Sequence, residues 1–106
     1  MTCKISFIPE AQDDYDELDN SVKKIVNKKI DNLAENPLLG LPLGNKDNVN
    51  LTGFYKIYVA KKSVRIVYRF LPNREIEIVE IWGIGKRDKM KIYKIIGDRI
   101  RKNGMK

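Results

Sequence analysis

The chain opens with alternating apolar and polar residues and continues with helical spacing. Residues 4–8 alternate as a β-strand does, and Pro9 suits the first turn of a helix because its missing N–H has no partner there. Apolar residues then recur every three to four positions on both sides of a polar break at 19–21. This pattern predicts a short helix and a longer one, which has Ser21 as its N-cap and ends before Pro37. Two helices joined so closely form an antiparallel hairpin.

The second half of the chain is rich in β-branched and aromatic residues. Residues 37–50 have no hydrophobic period and carry two Pro and two Gly, which predicts a loop of the length at which loops are often functional. Three β-rich runs follow and predict an antiparallel meander: 54–60, 63–71 and 75–84. Helical spacing returns over 89–101, where Asp88 can serve as the N-cap. The order of elements predicts an α+β fold.

Register arithmetic predicts which side chains share a face of the meander. A two-residue turn at 61–62 places Ile57 opposite Ile66 and Tyr55 opposite Tyr68, on one apolar face that the helices should cover. The opposite face then presents three polar side chains: Lys56, Tyr58 and Arg65. Antiparallel sheets often leave one face in water, so a solvated surface is the alternative to a functional site.

The second hairpin of the meander is harder to place. A three-residue loop at 72–74 sets Arg69 opposite Glu77, which would form a cross-strand ion pair. The same register puts Glu80 on the apolar face, where a carboxylate without a partner is costly. A β-bulge or a sheet edge near residues 79–80 is the expected remedy.

Composition bounds the fold and the chemistry. At 106 residues, of which 42% are hydrophobic and 33% charged, we expect one globular domain over residues 1–106. No apolar run approaches about 18 residues and no signal-peptide pattern is present, so we expect a cytoplasmic protein that does not contact a membrane. With one cysteine and no histidine, we expect no disulfide, no metal and no cofactor. Cys3 should be buried, and Trp82 should lie in the core or an interface.

The positive charge is concentrated in the second half. The net charge is +7, and residues 54–106 hold 15 basic and 5 acidic side chains, with all six arginines. Residues 1–53 hold 6 basic and 9 acidic side chains. A basic half on a small chain favours a polyanionic partner, most often nucleic acid, although a solvated surface has the same composition.

Three segments of the second half resemble, in succession, the signatures of the RelE/ParE toxin superfamily. They are LTGFYKIY at 51–58, VRIVYRF at 64–70 and GKRDKMKIY at 85–93, and the opening FIPEAQDDYDELD at 7–19 is similar as well. The resemblance implies a small α+β fold, with a helical hairpin and a C-terminal helix against a four-stranded antiparallel sheet. It also implies the toxin half of a type II toxin–antitoxin system, with a cognate antitoxin as partner.

The superfamily contains two activities, and the resemblance favours one of them. RelE-like members enter the ribosomal A site and cut mRNA, whereas ParE-like members poison DNA gyrase. This chain matches RelE catalytic positions at four residues: Lys56, Arg65, Arg87 and Tyr93. The resemblance thus implies a metal-independent mRNA endonuclease, with mRNA and the ribosome as partners. A ParE-like gyrase inhibitor and a degenerate toxin that only binds its antitoxin are the alternatives.

The same resemblance assigns a role to each of the four residues. It places Lys56 at the 2′-OH, Arg65 at the phosphorane, Arg87 on the leaving-group side and Tyr93 where it positions the nucleotide. Neighbouring cations should lower the pKa of Lys56, because they disfavour its charged form. Arg65 and Arg87 should be exposed, so that replacing either one impairs cleavage with little change in folding.

One departure from the RelE pattern lies on the first strand of the meander. Some RelE members carry a second lysine two residues after the first, where this chain has Tyr58. Either Tyr58 or Lys86 is expected to supply the missing function, or the enzyme is slower. Lys62 and Lys89 complete the expected RNA-binding set. The C-terminal helix has apolar residues on two adjoining lines, Ile92 and Ile96 beside Tyr93 and Ile100. This excess predicts a surface shared with the antitoxin, and burial within the domain is the alternative.

Overall fold

A five-stranded sheet and three helices make up the computed structural model, which describes residues 3–46, 49–59, 63–71, 77–86 and 91–103. The helices are α1 (Pro9–Asp16), α2 (Asn20–Glu35) and α3 (Lys91–Lys102). The strands are β1 (Lys4–Phe7), β2 (Leu41–Pro42), β3 (Asn45–Lys46), β4 (Val49–Asn50), β5 (Phe54–Val59), β6 (Val64–Leu71) and β7 (Ile78–Lys86). The large sheet has the order β1-β7-β6-β5-β2, and β3 pairs with β4 separately. The predicted α+β class is confirmed.

The helical hairpin begins as predicted, but its second cap differs. Pro9 occupies the start of α1, where its fixed φ suits the helix. Ser21 is not the N-cap of α2, because the helix starts at Asn20 and Asp19 takes the extended capping conformation. Ser21 instead donates its hydroxyl to Asp19 Oδ2 at 2.5 Å. The Tyr15 hydroxyl donates to Asn27 Oδ1 at 2.8 Å and joins the two helices.

The predicted register of β5 and β6 is confirmed. Tyr55 lies opposite Tyr68 and Ile57 opposite Ile66, and the two tyrosine rings stack with centroids 5.5 Å apart. The turn predicted at 61–62 lies outside the described residues. The agreement follows from the two-residue period of both strands, since a slip by one position would turn every apolar side chain to the other face.

The predicted register of β6 and β7 is wrong by three residues. Arg69 lies opposite Glu80 rather than Glu77, and its Nη2 donates to Glu80 Oε1 at 2.8 Å. A β-bulge follows, in which Trp82 is the extra residue between the pairs that β7 makes with β6. The expected bulge therefore exists, but a few residues beyond 79–80. This register pairs the carboxylate of Glu80 with an arginine and removes it from the apolar face.

The segment predicted as a loop contributes a fifth strand to the sheet. Leu41 and Pro42 form β2, an edge strand that pairs antiparallel with β5, whereas β1 joins the other side parallel to β7. Tyr68 holds the approach to β2, because its hydroxyl accepts the Gly40 N–H at 2.9 Å and donates to the Pro37 carbonyl at 2.9 Å. The sheet thus has one strand more, and one parallel pairing more, than the sequence predicted.

Apolar residues from the helices and the sheet meet in one core. Cys3 and Trp82 are buried, as predicted. α2 contributes Val26, Ile30 and Leu33, spaced as on one face of a helix. No helix within the described ranges is long and apolar enough to cross a membrane.

Gly40 lies where the fold has no room for a side chain. A Cβ at Gly40 would lie 2.6 Å from the Lys56 carbonyl oxygen and 2.6 Å from the Tyr68 hydroxyl. We expect Gly40→Ala to lower the free energy of unfolding in urea by about 1–3 kcal/mol, since backbone must move. Gly44→Ala is the matched control, because nothing lies within 4 Å of its Cβ position. Equal stability of the two variants would contradict the close packing of β2 on Tyr68.

Candidate active site

Lys56, Tyr58 and Arg65 share one face of the sheet, as predicted. Lys56 and Tyr58 alternate along β5, and Tyr58 lies directly opposite Arg65 in β6. The Lys56 ammonium donates to the Tyr58 hydroxyl at 3.1 Å. α3 crosses this face and brings Tyr93 onto Arg65, so four side chains from three elements form one cluster.

Arg65 is buried, and the expectation that it is exposed is wrong. Its exposed fraction is 5%, and its guanidinium carbon lies 5.2 Å from the ring centroid of Tyr58 and 4.8 Å from that of Tyr93. The reason is that α3 covers this face of the sheet, whereas the alternation of β5 and β6 predicted that it would face water. Arg65→Ala therefore removes a core side chain as well as a cation.

Two glycines on β7 make room beside Arg65. Gly85 lies opposite Arg65 in the register and Gly83 lies opposite Val67. Residues directly opposite in an antiparallel pair share a face, so β7 has no side chain at these two places. α3 can therefore approach β6 closely enough for Tyr93 to cover the guanidinium.

Two buried nitrogens of Arg65, Nε and Nη1, have no hydrogen-bond acceptor among the described residues. A buried donor left unpaired costs about 1–3 kcal/mol, and more when it is charged. Attraction to the faces of two tyrosine rings offsets part of that cost. Unpaired donors on an immobilised guanidinium suit an oxyanion such as phosphate.

The pKa of Lys56 shifts in the direction opposite to the predicted one. Burial, the largest single influence, lowers its pKa, but hydrogen bonds to the hydroxyls of Tyr58 and Tyr93 and electrostatic attraction to both outweigh burial. The pKa of Lys56 is therefore raised above its ordinary value, and the predicted lowering is wrong. Among the described residues, the hydroxyls of Tyr58 and Tyr93 are what raise the pKa of Lys56. The lysine is charged at neutral pH.

The other predicted site residues are only partly described. The backbone of Lys86 ends β7 opposite Val64, close in register to Arg65. Arg87, Lys62 and Lys89 lie outside the described residues. Their predicted roles, and the predicted Asp88 cap, stay predictions.

Sequence reasoning missed a polar contact that fastens α3, here called the α3 clasp. It consists of the side chains of Asp14 and Arg99 with the backbone of Trp82 and Ile84. A signal for it exists, because both charged residues interrupt apolar stripes. Asp14 follows the buried Ala11 by three positions, and Arg99 follows the buried Ile96 by three.

A second arginine on this face is already paired. Arg69 binds Glu80, and the same carboxylate oxygen accepts the indole N–H of Trp82 at 2.7 Å. The Arg69 guanidinium also lies 5.5 Å from the Trp82 ring and 5.8 Å from the Phe54 ring. Within the described part of the chain, Arg69 is left with one buried unpaired nitrogen, Nε, beside its bound carboxylate, whereas Arg65 has two unpaired nitrogens at the site.

Comparison with known proteins gives relatives over most of the chain. A family model described as the ParE toxin of the type II toxin–antitoxin system parDE matches residues 5–90. A curated Escherichia coli protein described as a RelE-like toxin is 24% identical over 104 residues, which cover 95% of this chain and 100% of that protein.

Solved structures share the fold. A free Escherichia coli RelE toxin with two arginines replaced by alanine matches with a TM-score of 0.72 at 24% identity, covering 94% of this chain and 99% of that chain. A chain of the intact Escherichia coli RelBE toxin–antitoxin complex matches with a TM-score of 0.60 at 22% identity, covering 82% of this chain and 99% of that chain. At these identities the likeness is one of fold.

The unpaired donors of Arg65 predict an unusual stability pattern. Arg65→Met keeps volume between the two rings and removes the unpaired charge, so we expect unchanged or slightly higher stability in urea. Arg65→Ala leaves a cavity and should cost about 2–4 kcal/mol. Inorganic phosphate should raise the Tm of the wild-type protein and not that of Arg65→Met. A phosphate effect that survives in Arg65→Met would place the anion elsewhere.

Proposed function

Since the chain belongs to the ParE toxin family of type II toxin–antitoxin systems, within the RelE/ParE superfamily, we propose that it is a RelE-type toxin that cuts mRNA in the ribosomal A site. The reaction is attack of the 2′-oxygen on the adjacent phosphorus, without a metal. The 2′-OH proton passes to water, the bond from phosphorus to the 5′-oxygen breaks, and the 5′-oxygen takes a proton from water, which leaves a 2′,3′-cyclic phosphate and a 5′-OH. One observation carries the proposal: Arg65 is held between two tyrosine rings with two unpaired donors, next to the charged Lys56.

The chemistry of RNA cleavage explains why these groups suffice. The 2′-oxygen gains negative charge as it loses its proton, the phosphorane carries two charges, and the 5′-oxygen leaves as an anion that must be protonated. Arg65 supplies a fixed cation for the phosphorane. Arg87 retains its proposed place on the leaving-group side. A cation that is fixed before the reaction stabilises developing charge without reorganisation.

Lys56 keeps its proposed place at the 2′-OH, but as a cation. Because its pKa is raised, the neutral amine that a general base requires is scarce at neutral pH. The ammonium can hold the 2′-oxygen by a hydrogen bond and stabilise the charge that develops there. Tyr58, which replaces the second lysine of some relatives, accepts a hydrogen bond from Lys56 and so orients it.

The role proposed for Tyr93 changes with its position. Its exposed fraction is 1%, and its ring lies on Arg65. A ring so covered is poorly placed to stack on a nucleobase. We assign Tyr93 to orienting the two cations: its ring holds Arg65 and its hydroxyl contributes to the raised pKa of Lys56.

A cognate antitoxin is the proposed protein partner. The support is the family and the likeness to a chain of the RelBE toxin–antitoxin complex. The basic second half would steer an acidic antitoxin toward the site at salt-sensitive rates. Of the residues on the two predicted apolar lines of α3, Tyr93 and Ile96 are buried within the domain. Ile95, which lies on neither line, is exposed, with a fraction of 39%, and is available to a partner.

Gyrase inhibition is the second candidate function, and the matching family model favours it. The description of that family names the ParE toxin of the parDE system, and the match spans residues 5–90. A ParE-like toxin would act by binding and would not need the cation cluster. A degenerate toxin that only binds its antitoxin would neither cut mRNA nor inhibit gyrase.

Mapping of mRNA ends during brief induction, beside a DNA supercoiling assay, distinguishes these functions. We expect new mRNA ends in translated regions and unaffected supercoiling. Arg65→Met, which should fold normally, is the matched control and should abolish the new ends. Intact mRNA with blocked gyrase would overturn the endonuclease proposal in favour of the ParE-like one. Intact mRNA and active gyrase would leave the degenerate toxin.

Two substitutions test the charge state in which Lys56 acts. Lys56→Arg keeps a cation that cannot accept a proton, so it should retain most of the single-turnover cleavage rate on programmed ribosomes. Lys56→Met should lose about 10²–10³-fold, the usual effect of removing one fixed donor from developing charge. Equal losses in both variants would restore the general-base role.

A further inference from the structure

The α3 clasp joins three elements at one point. Arg99 of α3 binds Asp14 of α1 through two hydrogen bonds, Nη1 to Oδ2 at 2.7 Å and Nη2 to Oδ1 at 3.1 Å. Nη1 also donates to the Trp82 carbonyl at 3.0 Å, and Asp14 Oδ2 accepts the Ile84 N–H at 3.2 Å. The exposed fractions of the two side chains are only 15% and 20%. A bidentate pair of this kind has one favoured geometry, so it fixes where α3 lies against β7.

Tyr93 lies on the same helix as Arg99. The two residues are six positions apart, or about 9 Å along the axis at the α-helical rise. Ile96 and Gly97, which lie between them, are both buried, so this part of the helix is in continuous contact with the rest of the domain. Packed helices move by shifts of the whole element, so a displacement at Arg99 reaches Tyr93.

Tyr93 in turn contacts one cation of the site and influences the other. Its ring lies 4.8 Å from the guanidinium carbon of Arg65, and its hydroxyl contributes to the raised pKa of Lys56, which lies on the same sheet face. A shift of α3 would therefore move or release the two groups that face the phosphate and the 2′-OH. Misplacement of a reacting geometry by about 1 Å can cost on the order of 10²-fold in rate.

We propose that the α3 clasp positions Tyr93 and, through it, Arg65 and Lys56. Asp14 of α1 and Arg99 in the C-terminal half of α3 are then positioning residues, which act on the reaction through Tyr93. The inference rests on the proposed endonuclease function for its role in catalysis. The link between the clasp and the anion site can be measured without that function.

Substitutions of Arg99 test the link directly. Arg99→Gln removes the charge and the bidentate contact, and it should lower the single-turnover cleavage rate about 10–100-fold with little change in KM. Arg99→Lys keeps the charge near Asp14 and should restore part of the rate. Lys102→Gln is the matched control, since Lys102 pairs with Glu10 at 3.8 Å from the exposed last turn of the same helix. This control should cleave at the wild-type rate.

A double-mutant cycle separates positioning from a general structural role. Tyr93→Leu keeps an apolar side chain in the core but loses the ring on Arg65 and the hydroxyl near Lys56. If the clasp acts through Tyr93, adding Arg99→Gln to Tyr93→Leu should lower the rate less than about twofold, because coupled sites are not additive. Equal losses in the two backgrounds, or faster cleavage by Arg99→Gln, would overturn the inference.

Inorganic phosphate gives a readout that needs no RNA. Its dissociation constant, measured by thermal shift, should rise about tenfold in Arg99→Gln and stay at the wild-type value in Lys102→Gln. If the wild-type protein cuts no mRNA, the endonuclease proposal fails while this comparison still decides whether the clasp acts on the anion site. Arg99→Lys carries the same comparison if Arg99→Gln does not fold. Unchanged phosphate affinity in the folded Arg99 variants would refute the link.

Discussion

The burial of one positive charge on the central strand constrains the rest of this fold. Arg65 keeps unpaired donors inside the protein, which only a close fit of its surroundings makes tolerable. Tyr58 must lie opposite it, so the register of β5 and β6 cannot slip. Tyr93 must reach it from the other side, so β7 carries glycine there and α3 must be held down. The register of β5 and β6, the glycines of β7 and the docking of α3 are therefore all constrained by the Arg65 guanidinium.

The sequence predicted the part of the fold that two-residue alternation encodes. The pairing of Ile57 with Ile66 follows from two strands that each have one apolar face and a short turn between them. The pairing of β6 with β7 does not follow from alternation. The bulge adds one residue to β7 and shifts the register, and alternation does not determine the length of the loop that joins the two strands. The local sign of that bulge was Trp82 beside Gly83, since a glycine inside a strand often marks a bulge. An analysis of alternation alone does not detect it.

The sequence predicted which residues form the candidate site, but it did not predict that the site is covered by α3. Lys56, Tyr58 and Arg65 lie together as expected, but alternation cannot tell whether the second face of a sheet is wet or covered. Phe54 and Val67, which are apolar and share that face, were the signal that something packs on it. The covered face also bears on the pKa of Lys56, since α3 brings the Tyr93 hydroxyl to it as well as that of Tyr58.

The strand β2 bears on how the molecule behaves at high concentration. An edge strand offers unpaired backbone groups on which other chains can assemble, and the exposed leucines around it would add to the attraction. β2 is only two residues long, and one of them, Pro42, has no N–H to donate. This edge therefore makes a poor template for strand-by-strand growth into fibrils. The same short strand that completes the sheet also ends it.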